Sequence, residues 1–487
     1  MSGFKSLFKQ TFIYGLATVL QRMLSFLLVP LYTTQGVLSS VGEYGKISII
    51  FSWVVILNVI LSYGMETAFF RFFNKEEDQN KVIGTSTIAL ILTSVGFFVL
   101  AYLFKSHISI LIGIKQEHIL LVIWILLCDA LVIIPFAWLR AQGKSMRFGI
   151  LKIVSVIINL GLNIFFLLYL KGWAENSAFL ESIYIPNFEI NYIFISNLVA
   201  SAVTLVLMLG FYFKVQYQFD GGLFKKMMRY AFPVLIAGIA FAINETFDRL
   251  LLDYLLPEDI AETKIGMYSA CYKIAVFMTL FATAYRLGIE PYFFSHANTK
   301  NPQKNYALIL EFFVAFGSVM LLTIVVFADV LKPYIVRSEA YWEAMWIVPL
   351  ILIANLCLGI YHNLSVWYKV TDRTKFGAYI SVFGAIITLA LNFWLIPIME
   401  YRGSAIATLV AYASMMVVSY YYGQKYYPIP YNLKKMSLYL LVSSAFSVIS
   451  FYVYRENYVV GISLLLVFLL LVVMLEKNQI RQIINSK

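Results

Sequence analysis

"GEYGKISIIFSWVVILNVILSYGMETAFF", residues 42–70, and "GMYSACYKIAVFMTLFATAYRLGIEPYFF", residues 266–294, align without a gap. Gly42 and Tyr44 fall on Gly266 and Tyr268, and Ile50 falls on Ile274. Both stretches close on Gly-x-Glu-x-x-Phe-Phe: Gly64, Glu66, Phe69 and Phe70 meet Gly288, Glu290, Phe293 and Phe294. Two apolar segments share phenylalanines by chance, but hardly glycines, a tyrosine and a glutamate in register. A weaker echo sets Phe148-Gly149 and Leu162-Asn163 against Phe376-Gly377 and Leu391-Asn392. The chain reads as one unit written twice.

That unit belongs in a membrane. Of 487 residues, 61% are hydrophobic and 13% charged, and the mean hydropathy is +0.80. A soluble domain is about half apolar and about a quarter charged, so lipid must be the solvent for most of this surface. Runs of about 20 mostly apolar residues define fourteen spans. They lie at 8–32, 44–70, 82–104, 118–139, 148–170, 190–213, 229–252, 266–294, 305–328, 342–366, 375–397, 403–423, 436–454 and 458–475. The short alternating segments of a membrane barrel are missing. The opening run is too long for a secretory signal peptide, carries Arg22 and lacks a small-residue cleavage site, so it reads as span 1.

The expected fold is an all-α multi-pass membrane protein of about 14 transmembrane helices, with two parallel six-helix lobes plus a C-terminal helix pair. The lobes are 1–213 and 229–425, joined by a basic cytoplasmic linker at 214–228, with the extra pair and tail at 426–487. Six is even, so both copies cross in the same direction, as in rocking-bundle transporters. With both termini cytoplasmic, about 23 Lys and Arg fall inside and about 9 outside. The net charge of +11 is then chiefly a topology signal toward membrane lipids, with no nucleic-acid partner. Cys128, Cys271 and Cys357 stand at unrelated spacings and His107, His118, His296 and His362 are scattered, so neither a metal nor a cofactor is expected.

Ionisable groups within spans are costly and therefore functional candidates. The bases are Arg22, Lys152, Arg249, Lys273 and Arg286; the acids are Asp129, Glu245, Asp248, Glu311 and the twins Glu66 and Glu290. Glu245 precedes Arg249 by one helical turn, the favourable order for an intrahelical pair, and Asp248 adds a second acid. Lys152 and Arg286, toward the inner ends, are placed to snorkel, Lys152 above all. Gly64 permits a close helix approach, and Pro291 is expected to loosen the second copy where Thr67 cannot loosen the first. The twin motif is either part of an inner gate or a relic of duplication.

"INETFDRLLLDYLL" at 243–256, "IGMYSACYKIA" at 265–275 and "YRGSAIATLVAY" at 401–412 resemble phrases of the multidrug/oligosaccharidyl-lipid/polysaccharide (MOP) exporter superfamily, in its Wzx-type, O-antigen flippase-like branch. The resemblance implies a non-enzymatic flippase. It would move an undecaprenyl-diphosphate-linked oligosaccharide from the cytoplasmic to the outer leaflet of the bacterial inner membrane, for lipopolysaccharide or other surface polysaccharide. It also implies an arginine near the place of Arg22, and a glycan polymerase and chain-length regulator as partners. A diphosphate crossing hydrocarbon needs cations, and the arginine fork pairs bidentately with phosphate oxygens. The substrate-binding candidates are thus Arg22, Arg249, Tyr272, Lys273 and Arg286. Gate or coupling candidates are Glu66, Glu290, Asp129, Glu245 and Asp248. No P-loop is present for ATP, which leaves a proton or sodium gradient as driver. Two other readings compete: a cation-coupled drug or solute antiporter, which needs a deep acid in the first lobe, and a membrane glycan polymerase or ligase, which needs a large outer loop.

Overall fold

A computed structural model describes residues 15, 16, 19, 20, 23, 24, 26–295 and 301–485, side chains excepted at 287, 288, 290–292, 294, 295 and 478–485. Among the described residues, thirteen helices are long and apolar enough to cross a membrane. One falls on each of spans 2 to 14; about half of span 1 lies outside the described residues. No strand occurs among them. The chain is an all-α multi-pass membrane protein.

Helices begin where a polar residue borders an apolar run. Ser40 opens span 2 by accepting from the Glu43 amide at 3.3 Å, and Glu43 reaches back to the Ser39 amide at 2.8 Å, close to a capping box. Asp78 caps span 3, Asp220 span 7 and Asn432 span 13 in the same manner. Asp220 places the start of span 7 earlier than hydropathy does. Its helix, Gly221–Leu255, takes in the basic residues Lys225 and Lys226 that sequence reading assigned to the linker. The non-helical connection is 213–220 and lies across span 3. There Thr85 Oγ1 accepts from the Asp220 amide at 3.0 Å, and a Cβ on Gly84 would stand 2.4 Å from the Gln216 carbonyl oxygen.

The chain divides into two compact units, residues 1–266 and 267–487. In the first, spans 4, 5 and 6 pack together and span 7 lies along span 2. The start of span 8, in the helix Glu258–Tyr272, crosses the start of span 2 at glycines on both sides. A Cβ on Gly45 would fall 1.9 Å from the Glu262 carbonyl oxygen, and one on Gly266 would fall 2.2 Å from that of Val41. Small residues permit such approaches in membranes. In the second unit, span 12 packs on spans 10 and 11, and span 9 packs on spans 10 and 13.

The sequence echo between spans 5 and 11 is a shared hydrogen bond. Asn163 Nδ2 donates to the Asn159 carbonyl at 2.8 Å, and Asn392 Nδ2 donates to the Thr388 carbonyl at 2.7 Å. Each buried amide then accepts a hydroxyl, from Tyr32 at 2.8 Å and from Ser404 at 2.6 Å.

The two long copies differ where they bend. The first breaks between the helices Val41–Ser62 and Met65–Phe73, where Tyr63 and Gly64 both adopt positive φ, 33° and 72°. A Cβ on Gly64 would stand 2.5 Å from the Ala231 carbonyl oxygen of span 7. The second tightens into a 3-10 turn, Lys273–Ala275, and continues as the helix Val276–Ser295 past Pro291. This corrects the expected placement of the bend: the first copy is the one interrupted near Glu66, because Gly64 supplies both left-handed backbone and space.

Candidate functional site

Each unit holds charged side chains inside its spans. In the first, Asp129 of span 4 accepts from Ser201 Oγ of span 6 at 2.7 Å and from Asn58 Nδ2 of span 2 at 3.5 Å. A carboxylate in hydrocarbon persists only with such donors. Lys152 of span 5 lies over the Phe136 ring at 4.4 Å. The expectation that Lys152 snorkels outward is corrected: its ammonium is held by an aromatic face within the unit.

Arg249 is 8% exposed. Its Nη1 meets Asp248 Oδ1 at 2.9 Å and donates to the Glu245 backbone carbonyl at 3.2 Å. The expected Glu245–Arg249 carboxylate pair is therefore corrected to Asp248–Arg249. Asp248 Oδ1 also accepts the Arg249 amide at 2.8 Å, which turns its carboxylate toward its neighbour's guanidinium. Nearer the end of span 2, Glu66 Oε1 pairs with Arg140 Nη1 at 2.6 Å, both side chains about two-fifths exposed. The Arg140 guanidinium also covers the Phe70 ring at 4.8 Å. One half of the twin motif thus forms a latch between the ends of spans 2 and 4.

In the second unit, Lys273 opens the 3-10 turn of span 8. Tightening frees carbonyls from the helical ladder, and Asn355 Nδ2 catches that of Ala275 at 3.2 Å. Tyr272 is half-buried beside it, edge-on to the fully buried Tyr268 at 5.7 Å. Arg286 is half-buried nearly three turns beyond the start of Val276–Ser295. An apolar groove of about 210 Å³ is lined by Leu310, Val314, Met416, Tyr420, Met436 and Leu440. Arg22 and the Glu290 side chain lie outside the described residues.

Sequence reading missed three arrangements. His118 Nδ1 and Asn191 Oδ1 are 2.7 Å apart in the first unit. Glu311, named only as an isolated acid, contacts Lys435, which also holds Glu476. Outside the spans, Asp329 binds Lys332 at 2.7 Å and Arg455 at 3.0 Å, and Lys332 also reaches Glu456 at 3.2 Å. Burial pushes the Asp329 carboxyl up, but the Arg455 and Lys332 contacts outweigh it and hold it below the ordinary carboxylate value. Each group involves partners more than 70 residues apart on at least one side, so no local spacing announces it. Among the described residues no cluster of three metal-ligating side chains occurs.

The sequence profile of the family described as "Polysaccharide biosynthesis protein" matches residues 7–297. No curated protein is similar enough in sequence to match. Among solved structures, the lipid II flippase MurJ in an inward closed conformation superposes with a TM-score of 0.70 at 17% identity, covering 96% of this chain and 100% of that one. A multidrug resistance MATE transporter of the MOP superfamily, in an inward-facing conformation, gives 0.62 at 12% identity over 87% and 98%. A MOP transporter from Pyrococcus furiosus gives 0.61 at 12% identity over 86% and 95%. These identities establish a shared fold, and the profile covers more than half of the sequence. The chain belongs to the polysaccharide biosynthesis protein family and has the fold of the MOP-superfamily transporters.

Proposed function

We propose that the protein is a flippase for an undecaprenyl-diphosphate-linked oligosaccharide, moving it from the cytoplasmic to the outer leaflet of a bacterial inner membrane for O-antigen or similar surface polysaccharide. Its lobes, 1–213 and 229–425, alternate access, both termini are cytoplasmic, and a glycan polymerase and chain-length regulator take over the product. The observation that carries this reading is the extent of the fold match. Superposition on a flippase spans 96% of the chain, against 87% for the multidrug transporter. The difference is about the size of the helix pair at spans 13 and 14, an addition to twelve spans that a drug antiporter does not need. Arg22, Arg249, Tyr272, Lys273 and Arg286 then serve the diphosphate and sugars, because arginine and lysine offset phosphate charge in low dielectric. Glu66, Glu290, Asp129, Glu245 and Asp248 serve as gate or coupling groups.

The antiporter reading draws on Asp129, a carboxylate within the first lobe held by Asn58 and Ser201. Reconstituted protein separates the two. The flippase reading requires a fluorescent lipid-diphosphate-linked oligosaccharide to cross the bilayer faster than in protein-free vesicles. A protein-free rate, with a cationic drug transported down a proton or sodium gradient, would transfer the assignment to the antiporter. Within the flippase reading, Arg22→Ala abolishes movement and Arg22→Lys retains part of it, since charge survives without the fork.

A further inference from the structure

Sequence reading leaves 105–117 as a polar connection between spans 3 and 4. The structure builds its first part as a helix, Lys105–Ile112. The end of that helix is fixed: Gly113 takes a left-handed φ of 67°, and Ser109 Oγ donates to the Ile114 carbonyl at 2.7 Å. Ile108 and Ile112 pack against Ala101 of span 3 and against Ile119 and Ile123 of span 4. The helix therefore lies back beside the opening turns of span 4 instead of standing clear of the bilayer. The same stretch of span 4 carries Trp124, its ring 4.6 Å from that of Phe98. Tyr102 of span 3 lies under the Lys105 ammonium at 4.1 Å. Trp and Tyr collect at the membrane–water boundary, so these two mark its level here.

The far side of this helix is left bare. Ile110 is 83% and Leu111 85% exposed, and the chain just before the helix exposes Leu100, Leu103 and Phe104 by more than half. Only 33% of the apolar window of span 3 is buried, so the span already faces lipid and runs directly into this surface. We propose that Lys105–Ile112 is an interfacial helix, seated in the phospholipid leaflet at this end of the molecule with Ile110 and Leu111 at the acyl–headgroup boundary. Burying two aliphatic side chains that water would otherwise surround supplies the attraction. Ser106 and His107 are exposed as well, His107 edge-on to Phe104 at 6.1 Å. A helix mixing such groups with aliphatic ones suits the boundary, where one side is wet, and not the hydrocarbon core. At about 12 Å it is also too short to cross. Seated there, it fixes the depth of the joined ends of spans 3 and 4. In the orientation proposed above this is the outer leaflet; the seating itself needs neither that orientation nor transport.

Spin labelling of the full chain in phospholipid vesicles reads these surroundings directly. Cys128, Cys271 and Cys357 are buried, so the label goes to Ile110→Cys or Leu111→Cys, each introduced at an exposed side chain. Leu92→Cys, in the middle of span 3 and 66% exposed, sets the value for lipid. Glu77→Cys, exposed in the polar turn before span 3, sets the value for water. The ratio of collisions with oxygen, which concentrates in lipid, to collisions with a water-soluble nickel chelate should rise several-fold over Glu77→Cys at both positions. A ratio equal to that of Glu77→Cys at either position would overturn the proposal and return the helix to water. Few collisions with either reagent would overturn it too, because protein then covers the face, either a second copy or a glycan polymerase. If Ile110→Cys does not fold, Leu111→Cys decides alone. Labels that report lipid in vesicles moving no lipid-linked oligosaccharide would sink the flippase reading and leave the interfacial helix standing.

Discussion

Replacing Gly45 by alanine tests the crossing of spans 2 and 8. The added Cβ would lie 1.9 Å from the Glu262 carbonyl oxygen and 2.8 Å from its carbonyl carbon, where real Cβ contacts stay beyond 3.0 Å. The obstructing atoms are backbone, so no rotamer relieves the clash and the helices must part by about 1 Å. Overpacking of this kind costs about 1–3 kcal/mol, and a backbone obstacle puts it at the upper end. The helical preference of alanine over glycine returns up to about 1 kcal/mol. The net loss is about 2 kcal/mol, roughly a 30-fold fall in the ratio of folded to unfolded protein. Gly96→Ala is the control, because nothing lies within 4 Å of its Cβ and only the helical preference acts. The two variants should differ by about 3 kcal/mol in unfolding from mixed micelles, and in the same sense in thermal loss of the monodisperse peak. Gly266→Ala opens the same crossing from the other side, so the double variant loses less than the two single losses combined. Equal stability of Gly45→Ala and Gly96→Ala would refute the close crossing.

Arg249→Ala removes the guanidinium that Asp248 faces, costs about 3–5 kcal/mol of stability and lowers the yield of folded protein. Adding Asp248→Asn restores part of it, whereas adding Glu245→Gln does not; size-exclusion yields of the double variants decide. The acid limb of stability depends on Asp329, whose folded carboxyl titrates below the unfolded value of about 3.9. Its contribution is complete above about pH 5 and drains away as pH falls through the lower folded value. Thermal scans across that range should therefore flatten in Asp329→Asn. Cysteines at Gly64 and Gly288, labelled from the cytoplasmic side, should change reactivity together with substrate supply if the twin motif gates transport; constant reactivity in both marks a relic.

The spans were legible because a run of apolar residues about 20 long has one physical solution in a bilayer. The duplication was legible because Gly42, Gly64 and Glu66 recur in register with Gly266, Gly288 and Glu290. The bend at Tyr63–Gly64 was not, since sequence gives neither the sign of φ nor the approach of Ala231. Pro291 misled for a related reason: a proline marks where a helix lacks one hydrogen bond, not where the chain turns. The one-turn rule chose Glu245 as the partner of Arg249, but that rule describes pairs free to extend along an exposed face. At a buried position the adjacent Asp248, already folded onto the next amide, takes the guanidinium. Charged groups that meet across three spans stayed hidden because Lys435 looked like one more cytoplasmic lysine.

The Glu311–Lys435–Glu476 cluster also has an order in time. The chain emerges from its N-terminus, so Glu311 and Lys435 enter the bilayer before the end of span 14 has been made. Glu476 follows Lys435 by about 40 residues, roughly 2–8 s at ordinary rates of synthesis. During that interval one acid and one base meet as a neutral pair, which lets spans 9 and 13 insert without waiting for span 14. The last helix then arrives with a second carboxylate for the same ammonium, and the Tyr439 hydroxyl gives it a further donor.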